Sequence, residues 1–263
     1  MTGKISSDKH LFAIYRDNLS LLTKDLQQEE SLKFQDKELV QRITQILRLN
    51  LGDKLILFDS QINLELELLE ISKKNISGKI LNIKNNKILQ PKITLSLGLL
   101  KKNFFEQVLY YAAAMGASIV QPVLSQKVHK NWLKDKERLV KIMIAGCEQA
   151  KNFVIPELLE PVSLNDFINN KSIKDSKKIL FDLDGNKLLE ILQSLDKEKK
   201  DLTLLFGPES GFSDSELDLL KSNNFELCAL TPTILRAVEA VAVGLGAVRS
   251  CPGANGVELT YSQ

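Results

Sequence analysis

Two short stretches near the end of the chain hold residues that could bind a ligand and act on it. The first reads GPESG, from Gly207 to Gly211, and follows the apolar run Thr203–Phe206, which predicts a buried strand. Glycine tolerates positive φ and lets a ligand come close to the backbone, so this loop favours binding by backbone groups. The second reads LTPTILRAVEA and places the guanidinium of Arg236 three residues before the carboxylate of Glu239. Such a pair could stabilise charge in a substrate or simply lie on the surface.

Local signals predict the elements that position these two stretches. Ser213 and Glu216 form a capping box that begins a helix after the first stretch. Phe225–Leu230 predicts a second strand, and Thr233 is predicted to cap the last helix. Two adjacent loops that follow parallel strands form a cleft at the carboxyl edge of the sheet, where open α/β sheets bind ligands. The chain has neither a GxxxxGK[ST] motif nor GxGxxG after a strand, so a nucleotide here would be held by backbone groups around its base.

The rest of the chain predicts two domains with a boundary at Pro91. Residues 91–250 alternate strands with helices, which predicts an α/β domain with a mostly parallel sheet and helices on both faces. Residues 1–90 predict a small β-rich domain, and residues 251–263 predict a flexible tail. The predicted helices include Asp36–Leu49, Asn103–Met115, Asn131–Ala150, Ser163–Asn170 and one from about Asn186. The predicted strands include His10–Tyr15, Lys54–Phe58, Leu64–Ile71, Lys79–Ile83, Ile93–Leu100, Ser118–Leu124, Val154–Pro156 and Lys178–Leu183.

Composition and charge narrow the possible functions. The 263 residues carry a net charge of +2 but include 35 lysines and arginines, so a local basic surface is compatible with the nearly neutral total. No apolar run is long enough to span a membrane and no signal peptide is visible, which predicts a cytoplasmic protein. The cysteines Cys147, Cys228 and Cys251 are far apart and predict reduced, buried thiols.

Several catalytic classes find no support in the residues. His10 and His129 are the two histidines and lie far from any cysteine pair, which argues against a zinc site. No GxSxG elbow provides a hydrolase nucleophile. Asp182 and Asp184 in FDLDG could hold Mg²⁺ beside substrate phosphates, but two acidic residues that close a strand before a turn at Gly185 are the better explanation of this pattern.

Both carboxyl-terminal stretches resemble motifs of a known family. GPESGFSDSEL is similar to the GPEGGFSxxE motif of the SPOUT methyltransferases, and LTPTILRAVEA is similar to their LGxxILRxETA motif. The family that the chain resembles most is the 16S ribosomal RNA uracil-N3 methyltransferases, the ribosomal RNA small subunit methyltransferase E type. Arg48 in ILRLNLGDKLILFD and the stretch AGCEQAKNFVIP match further family segments. The resemblance therefore extends over nearly the whole chain.

This resemblance implies an enzyme that uses S-adenosylmethionine to methylate N3 of a specific uridine in 16S ribosomal RNA. The substrate would be either the 16S RNA itself or the assembled small ribosomal subunit. It also implies a trefoil knot in the carboxyl-terminal domain, an amino-terminal PUA-like β-barrel that binds RNA, and a homodimer. The positions that it implies for cofactor binding are Gly207, Pro208, Glu209, Gly211, Leu230, Thr231, Pro232, Ile234 and Leu235. The positions that it implies for RNA binding are Arg48, Glu148 and Gln149.

Arg236 and Glu239 are the predicted catalytic residues. The N3 nitrogen of uracil is a poor nucleophile until its proton leaves, so the enzyme must favour the uracil anion. Arg236 is expected to stabilise this anion because a guanidinium stays charged and offers several donors, and Glu239 is expected to orient Arg236. The chain departs from the family motifs at Ser210 and Thr231, which replace glycines, and at Val238, which stands where the motif has glutamate.

Other hypotheses stay open at this point. The departures from the motifs are compatible with an RNA-binding protein of the same fold that has lost catalysis. They are also compatible with a related SPOUT methyltransferase that modifies a different nucleotide. An unrelated α/β protein that binds a nucleotide at the same edge of its sheet is the remaining hypothesis.

Overall fold

The structure is a computed structural model that describes residues 10–127, 133, 135–188, 190–191 and 200–250. The chain divides between Lys87 and Ile88 into two compact units. The predicted tail 251–263 lies outside the described residues, as do His129 and Cys251.

The amino-terminal unit is built on one five-stranded sheet. Its strands are β1 (Phe12–Tyr15), β2 (Ser31–Phe34), β3 (Lys54–Phe58), β4 (Ile62–Ile71) and β5 (Ile76–Asn85). They lie in the order β1-β3-β4-β5-β2, with β1 parallel to β3 and the other pairs antiparallel. Leu64, Leu66 and Leu68 alternate along β4 and are buried, so one face of the sheet covers the hydrophobic core of this unit.

The helical segment of this unit is shorter than predicted. The sequence predicts one helix over Asp36–Leu49, but helix α2 spans only Lys37–Gln41 and a π-helical turn follows over Arg42–Ile46. The side chain of Asp36 caps α2, and the preceding helix α1 (Leu19–Leu22) is a single turn. The Thr44 hydroxyl donates to the carbonyl of Val40 at 2.7 Å, a local bond that bends helices.

The carboxyl-terminal unit contains a parallel sheet. Its strands are β6 (Ile93–Gly98), β7 (Ile119–Leu124), β8 (Glu157–Leu158), β9 (Val162–Ser163), β10 (Lys177–Lys187), β11 (Leu202–Phe206) and β12 (Glu226–Ala229). They lie in the order β12-β10-β11-β6-β7-β8, and β9 also pairs with β7. All of these pairs are parallel. The α/β class and the parallel sheet predicted from the sequence are confirmed.

Helices of this unit pack on both faces of the sheet. They are α3 (Lys102–Ala114), α4 (Lys136–Ala150), α5 (Leu164–Ile168), α6 (Asp214–Ser222) and α7 (Ala237–Arg249). Leu180 and Leu205 share one core with residues of α5 and α6. Phe181 and Phe206, which follow these two leucines along their strands, point to the other face of the sheet, where Phe206 contacts Gly244 of α7.

Several predicted boundaries in this unit are wrong, among them the start of α4, which is Lys136 and not Asn131. Val154–Pro156 is not a strand, and the short strand follows it at Glu157–Leu158. The helix predicted from about Asn186 begins later because β10 resumes its pairing with β12 after a bulge and continues to Lys187. Thr233 does not cap the last helix, which begins after Arg236.

Arg249 at the end of α7 ties three segments of this unit together. Its guanidinium donates to the carbonyl oxygens of Pro91 at 2.9 Å and Met115 at 3.2 Å, and also to that of Gly116. Burial lowers the pKa of Arg249 to about 10, so the side chain remains charged at neutral pH. A cation at the carboxyl end of a helix is also favoured by the helix dipole.

We expect the Arg249→Met variant to lower the free energy of unfolding by about 3 kcal/mol, because it leaves buried carbonyl groups without a donor. Urea denaturation followed by circular dichroism measures this change. Lys221→Met, on an exposed residue of α6, is the control and should change the stability by less than about 0.5 kcal/mol. Equal stability of the two variants would contradict a structural role for Arg249.

Candidate functional site

A cavity of about 510 Å³ opens where β12, β10 and β11 end, side by side, at their carboxyl edges. Its predicted lining residues are Gly207, Pro208, Glu209, Gly211, Leu230, Thr231, Ile234, Leu235 and Arg236. Its other lining residues are Phe104, Phe181, Asp182, Leu183, Phe206, Phe212, Cys228, Thr233, Ala237, Val238 and Ala240. The two loops identified in the sequence therefore meet in one cavity, whereas Pro232 and Glu239 are not among its lining residues.

The GPESG loop is held tightly against the neighbouring strand. A Cβ atom at Gly98, the last residue of β6, would lie 2.4 Å from Cδ of Pro208, so only glycine permits this approach. The backbone N–H of Lys101 donates to Oε1 of Glu209 at 3.1 Å. Gly211 has φ 67°, in the left-handed region that favours glycine, and its N–H donates to the carbonyl of Pro208. The loop therefore has a fixed conformation on this side of the cavity.

Glu216 fixes the other side of the same loop. The capping box predicted from Ser213 and Glu216 is confirmed at the start of α6. Glu216 is buried, and its carboxylate accepts hydrogen bonds from the backbone N–H groups of Ser213 and Gln126, each at 2.8 Å. The Nζ atom of Lys127 donates to the carbonyl of Ser210 at 3.1 Å. These bonds join the loop after β7 to the GPESG loop.

Arg236 and Glu239 form an exposed ion pair at the start of α7. Arg236 is the residue that precedes the helix, with 75% of its side chain exposed, and Glu239 lies in the first helical turn. Nε and Nη2 of Arg236 donate to the two carboxylate oxygens of Glu239. This bidentate hydrogen bond lowers the pKa of Glu239 and raises the pKa of Arg236. Both side chains are therefore charged at neutral pH, and the predicted contact between them is present.

The floor of the cavity is aromatic. Phe181 ends the regular pairing of β10 and Phe206 ends β11, and their rings stack with centroids 4.5 Å apart and planes 21° apart. The two rings are buried and close the bottom of the cavity with apolar ring atoms, which suit contact with a ring such as a nucleic-acid base. The arrangement can therefore hold a base against the floor while the two loops provide backbone groups around it.

Comparison with known proteins relates this site to one family. The sequence profile described as RNA methyltransferase domain matches residues 88–249, which include the whole cavity. The chain belongs to the RNA methyltransferase domain family. The resemblance inferred from the two motifs is thereby confirmed.

Named relatives of this RNA methyltransferase chain agree with the match. Ribosomal RNA small subunit methyltransferase E of Rickettsia conorii is 26% identical over 226 residues, with 80% of this chain and 86% of the relative covered. The protein of the same name from Bacillus subtilis is 26% identical over 223 residues, with 80% and 87% covered.

Solved structures share the fold over most of the chain. A Legionella pneumophila protein solved with bound SAM has a TM-score of 0.72 at 25% identity, with 92% of this chain and 98% of that chain covered. A ribosomal RNA small subunit methyltransferase E from Neisseria gonorrhoeae has a TM-score of 0.74 at 19% identity, with the same coverage, which shows the fold alone.

None of the predicted RNA-binding residues is among the residues that line the cavity. Arg48 belongs to the amino-terminal unit, is exposed, and closes the π-helical turn with φ 52°. Glu148 and Gln149 lie near the end of α4, where Glu148 is half-buried and Gln149 is exposed. Neither α4 residue lines the cavity.

The sequence reasoning did not place residues of β10 and α3 in this cavity, although it considered Asp182 as a possible Mg²⁺ ligand. Phe181, Asp182 and Leu183 come from the strand between the two recognised loops, and Phe104 comes from the first turn of α3. The signal that could have found them is the strand order, because the residue after each buried strand reaches the same edge. That order depends on long-range pairing and cannot be read from local motifs.

Within the described residues, no group of three His, Cys, Asp or Glu side chains is placed to hold a metal ion. In the same part of the chain, no helix is long and apolar enough to cross a membrane. Cys147 and Cys228 are buried free thiols, and burial raises the pKa of each to about 12.

Proposed function

We propose that this chain uses S-adenosylmethionine to methylate N3 of a uridine in 16S ribosomal RNA of the small subunit. The observation that carries the proposal is the cavity at the carboxyl edge of β12, β10 and β11, within the part of the chain that matches the RNA methyltransferase domain. The names of the relatives and the SAM-bound neighbour support the substrate and the cofactor. A cytoplasmic location is part of the same proposal.

The cavity fits the cofactor in size and chemistry. Its volume of about 510 Å³ lies within the range typical of small-molecule sites. The stacked rings of Phe181 and Phe206 can pack against adenine, and the backbone of the two loops can bond its edge. S-adenosylmethionine supplies a methyl group on a positively charged sulfur, which leaves as a neutral thioether. The chain therefore has to position the acceptor nitrogen and assist the loss of its proton.

Arg236 is suited to assist the loss of that proton. Its guanidinium lines the cavity and is mostly exposed, so it can reach a base presented by RNA. Negative charge that develops on the uracil oxygens as N3 loses its proton would be stabilised by the guanidinium donors. Glu239 holds Nε and Nη2 of Arg236, which restricts the orientation of the fork. We propose Arg236 as the catalytic residue that contacts uracil and Glu239 as the residue that positions it.

RNA binding is proposed to use both units. In the amino-terminal unit, Arg48 is exposed at a turn, and we propose that the five-stranded sheet forms a PUA-like barrel that holds RNA. In the carboxyl-terminal unit, the ammonium of Lys127 donates to the carbonyl of Ser210 and places positive charge beside the GPESG loop. Exposed cations of this kind suit RNA phosphates. Glu148 and Gln149 are proposed as further RNA contacts.

A knot and a homodimer complete the proposal. The chain leaves β11, passes beyond β10 to form β12 at the edge of the sheet, and then returns to pack α7 against α3 and β11. A return of this kind is compatible with the trefoil knot that the family resemblance implies.

Helix α7 is rich in small residues and exposes 41% of Val243, which is compatible with a second copy packing there.

A second candidate function is RNA binding by the same fold without catalysis. The observation in its favour is Val238, which is buried and lines the cavity where the family motif has a carboxylate.

The experiment that decides between the two functions incubates the purified protein with S-adenosylmethionine and small subunits that lack the modification, followed by mass spectrometry of the 16S RNA. A new N3-methyluridine supports the enzyme, whereas tight RNA binding without methylation supports the second candidate.

We expect Gly207→Val to abolish cofactor binding while the fold is retained. A Cβ atom at Gly207 would lie 3.6 Å from the Phe212 ring, an ordinary contact, so the added methyl groups project into the cavity without disturbing the protein. Calorimetry with S-adenosylmethionine should show at least a tenfold loss of affinity, or about 1.4 kcal/mol. The control is Gly246→Val on α7, where the added Cβ has open space. If Gly207→Val binds S-adenosylmethionine with normal affinity, the GPESG loop does not bind the cofactor.

We expect binding to 16S RNA to weaken with salt because cations on the protein release counterions from phosphates. Arg48→Ala should lower the affinity and reduce the slope of log affinity against log salt by roughly one unit. Filter binding over a salt series measures both quantities. Lys221→Ala is the control on an exposed residue of α6. An unchanged slope for Arg48→Ala would show that Arg48 does not contact phosphate.

We expect Arg236→Ala to lower the turnover rate about a hundredfold or more, with little change in cofactor or RNA affinity, because the stabilised charge exists mainly in the transition state. Arg236→Lys should rescue poorly, since a point charge cannot reproduce the planar fork. Single-turnover kinetics at saturating RNA and cofactor give the rate. A near-normal rate for the alanine variant would exclude the catalytic role, and rescue by lysine would favour a simple phosphate contact.

A further inference from the structure

The cavity has a middle wall that the two proposed cofactor loops do not supply. β10 lies between β12 and β11, and Phe181 pairs with both Cys228 and Phe206. The next residue, Asp182, therefore emerges between the loop after β11 and the loop after β12. It is half-buried and lines the cavity.

The backbone of β10 is shaped to present Asp182 there. Pairing with β12 is interrupted after Phe181 and resumes at Asn186, so the intervening residues form a bulge. Gly185 closes this bulge against β12, where a Cβ atom would lie 2.3 Å from the backbone nitrogen of Cys228. Oδ1 of Asp182 accepts the N–H of Asp184 at 3.2 Å, which holds the carboxylate in place. Bulges beside a site commonly redirect a side chain.

Among the described residues that line the cavity, three side chains carry a full charge, namely Asp182, Glu209 and Arg236. Glu209 accepts the backbone N–H of Lys101, and Arg236 is engaged by Glu239. For Asp182, the hydrogen bond seen in the described part of the chain is the local one with Asp184. A carboxylate has two oxygens and several lone pairs, so capacity remains to accept bonds from a ligand.

We propose that Asp182 is a cofactor-binding residue that accepts hydrogen bonds from S-adenosylmethionine. The donors that suit a carboxylate are the ribose hydroxyls and the ammonium group, and the shared chemistry is N–H or O–H donation to an anion. This inference rests on the proposed function. It adds the middle strand to a site that the motifs place only on the two flanking loops.

Calorimetry tests the inference with the full-length protein, the Asp182→Ala and Asp182→Asn variants, and Asp184→Asn as the matched control. Asp184 is exposed and does not line the cavity, so its variant should bind S-adenosylmethionine normally. Asp182→Ala should bind roughly tenfold to a hundredfold more weakly, as expected for a hydrogen bond to a charged group. Asp182→Asn keeps the acceptor for the Asp184 N–H and should therefore show the loss without a change in melting temperature.

Titrations with two analogues distinguish the donors: 5′-methylthioadenosine keeps the ribose but lacks the ammonium and the sulfonium charge, and S-adenosylhomocysteine keeps the ribose and the ammonium but lacks the sulfonium charge. A similar loss with 5′-methylthioadenosine assigns the bond to the ribose, and a loss with S-adenosylhomocysteine but not with 5′-methylthioadenosine assigns it to the ammonium. A loss confined to S-adenosylmethionine indicates attraction to the sulfonium and overturns the hydrogen bond. Normal S-adenosylmethionine affinity in both Asp182 variants overturns the inference while the proposed function stands. Failure of the wild-type protein to bind S-adenosylmethionine overturns the proposed function and this inference with it.

Discussion

Helix α7 packs against the stacked rings of Phe181 and Phe206 through Gly244, and the cavity takes its shape from this contact. A Cβ atom at Gly244 would lie 2.9 Å from Cζ of Phe206 and 3.3 Å from Cζ of Phe181. Glycine therefore sets how closely the helix approaches the sheet. Since the loop after β12 leads directly into α7, this distance also determines where Arg236 stands at the cavity mouth.

Buried charge provides the second constraint on the cavity. Glu216 is only 3% exposed, yet backbone N–H groups from two separate loops satisfy its carboxylate. A buried carboxylate without such donors would be strongly unfavourable, so the two loops are favoured in one relative arrangement. The backbone bond from Lys101 to Glu209 adds a third segment to this arrangement. The proposed cofactor loop is thus held by polar contacts on one side and by the close approach of Gly98 on the other.

The sequence is most informative where a structural feature depends on neighbouring residues. The capping box and the glycine turn could be predicted because the donor, the acceptor and the required φ lie within a few positions, as at Ser213, Glu216 and Gly211. The end of β10 could not be predicted, because its extension to Lys187 depends on pairing with β12, about forty residues later. The same long-range pairing brings Asp182 into the cavity, which explains why the motifs alone did not identify it. Thr233 does not cap α7 because the backbone is still extended at Arg236, so the helix begins three residues later than predicted.

The thiol of Cys228 has a consequence for chemical selectivity. Cys228 lines the cavity, and burial, with a smaller contribution from the charge of Glu226, raises its pKa to about 12. At neutral pH the thiolate fraction is then about one in 10⁵, compared with a few per cent for an ordinary cysteine. A cysteine attacks carbon electrophiles as the thiolate, so the protonated thiol of Cys228 would react very slowly with a methyl donor bound in this cavity. Burial of Cys228 would in this way protect the protein from alkylating itself.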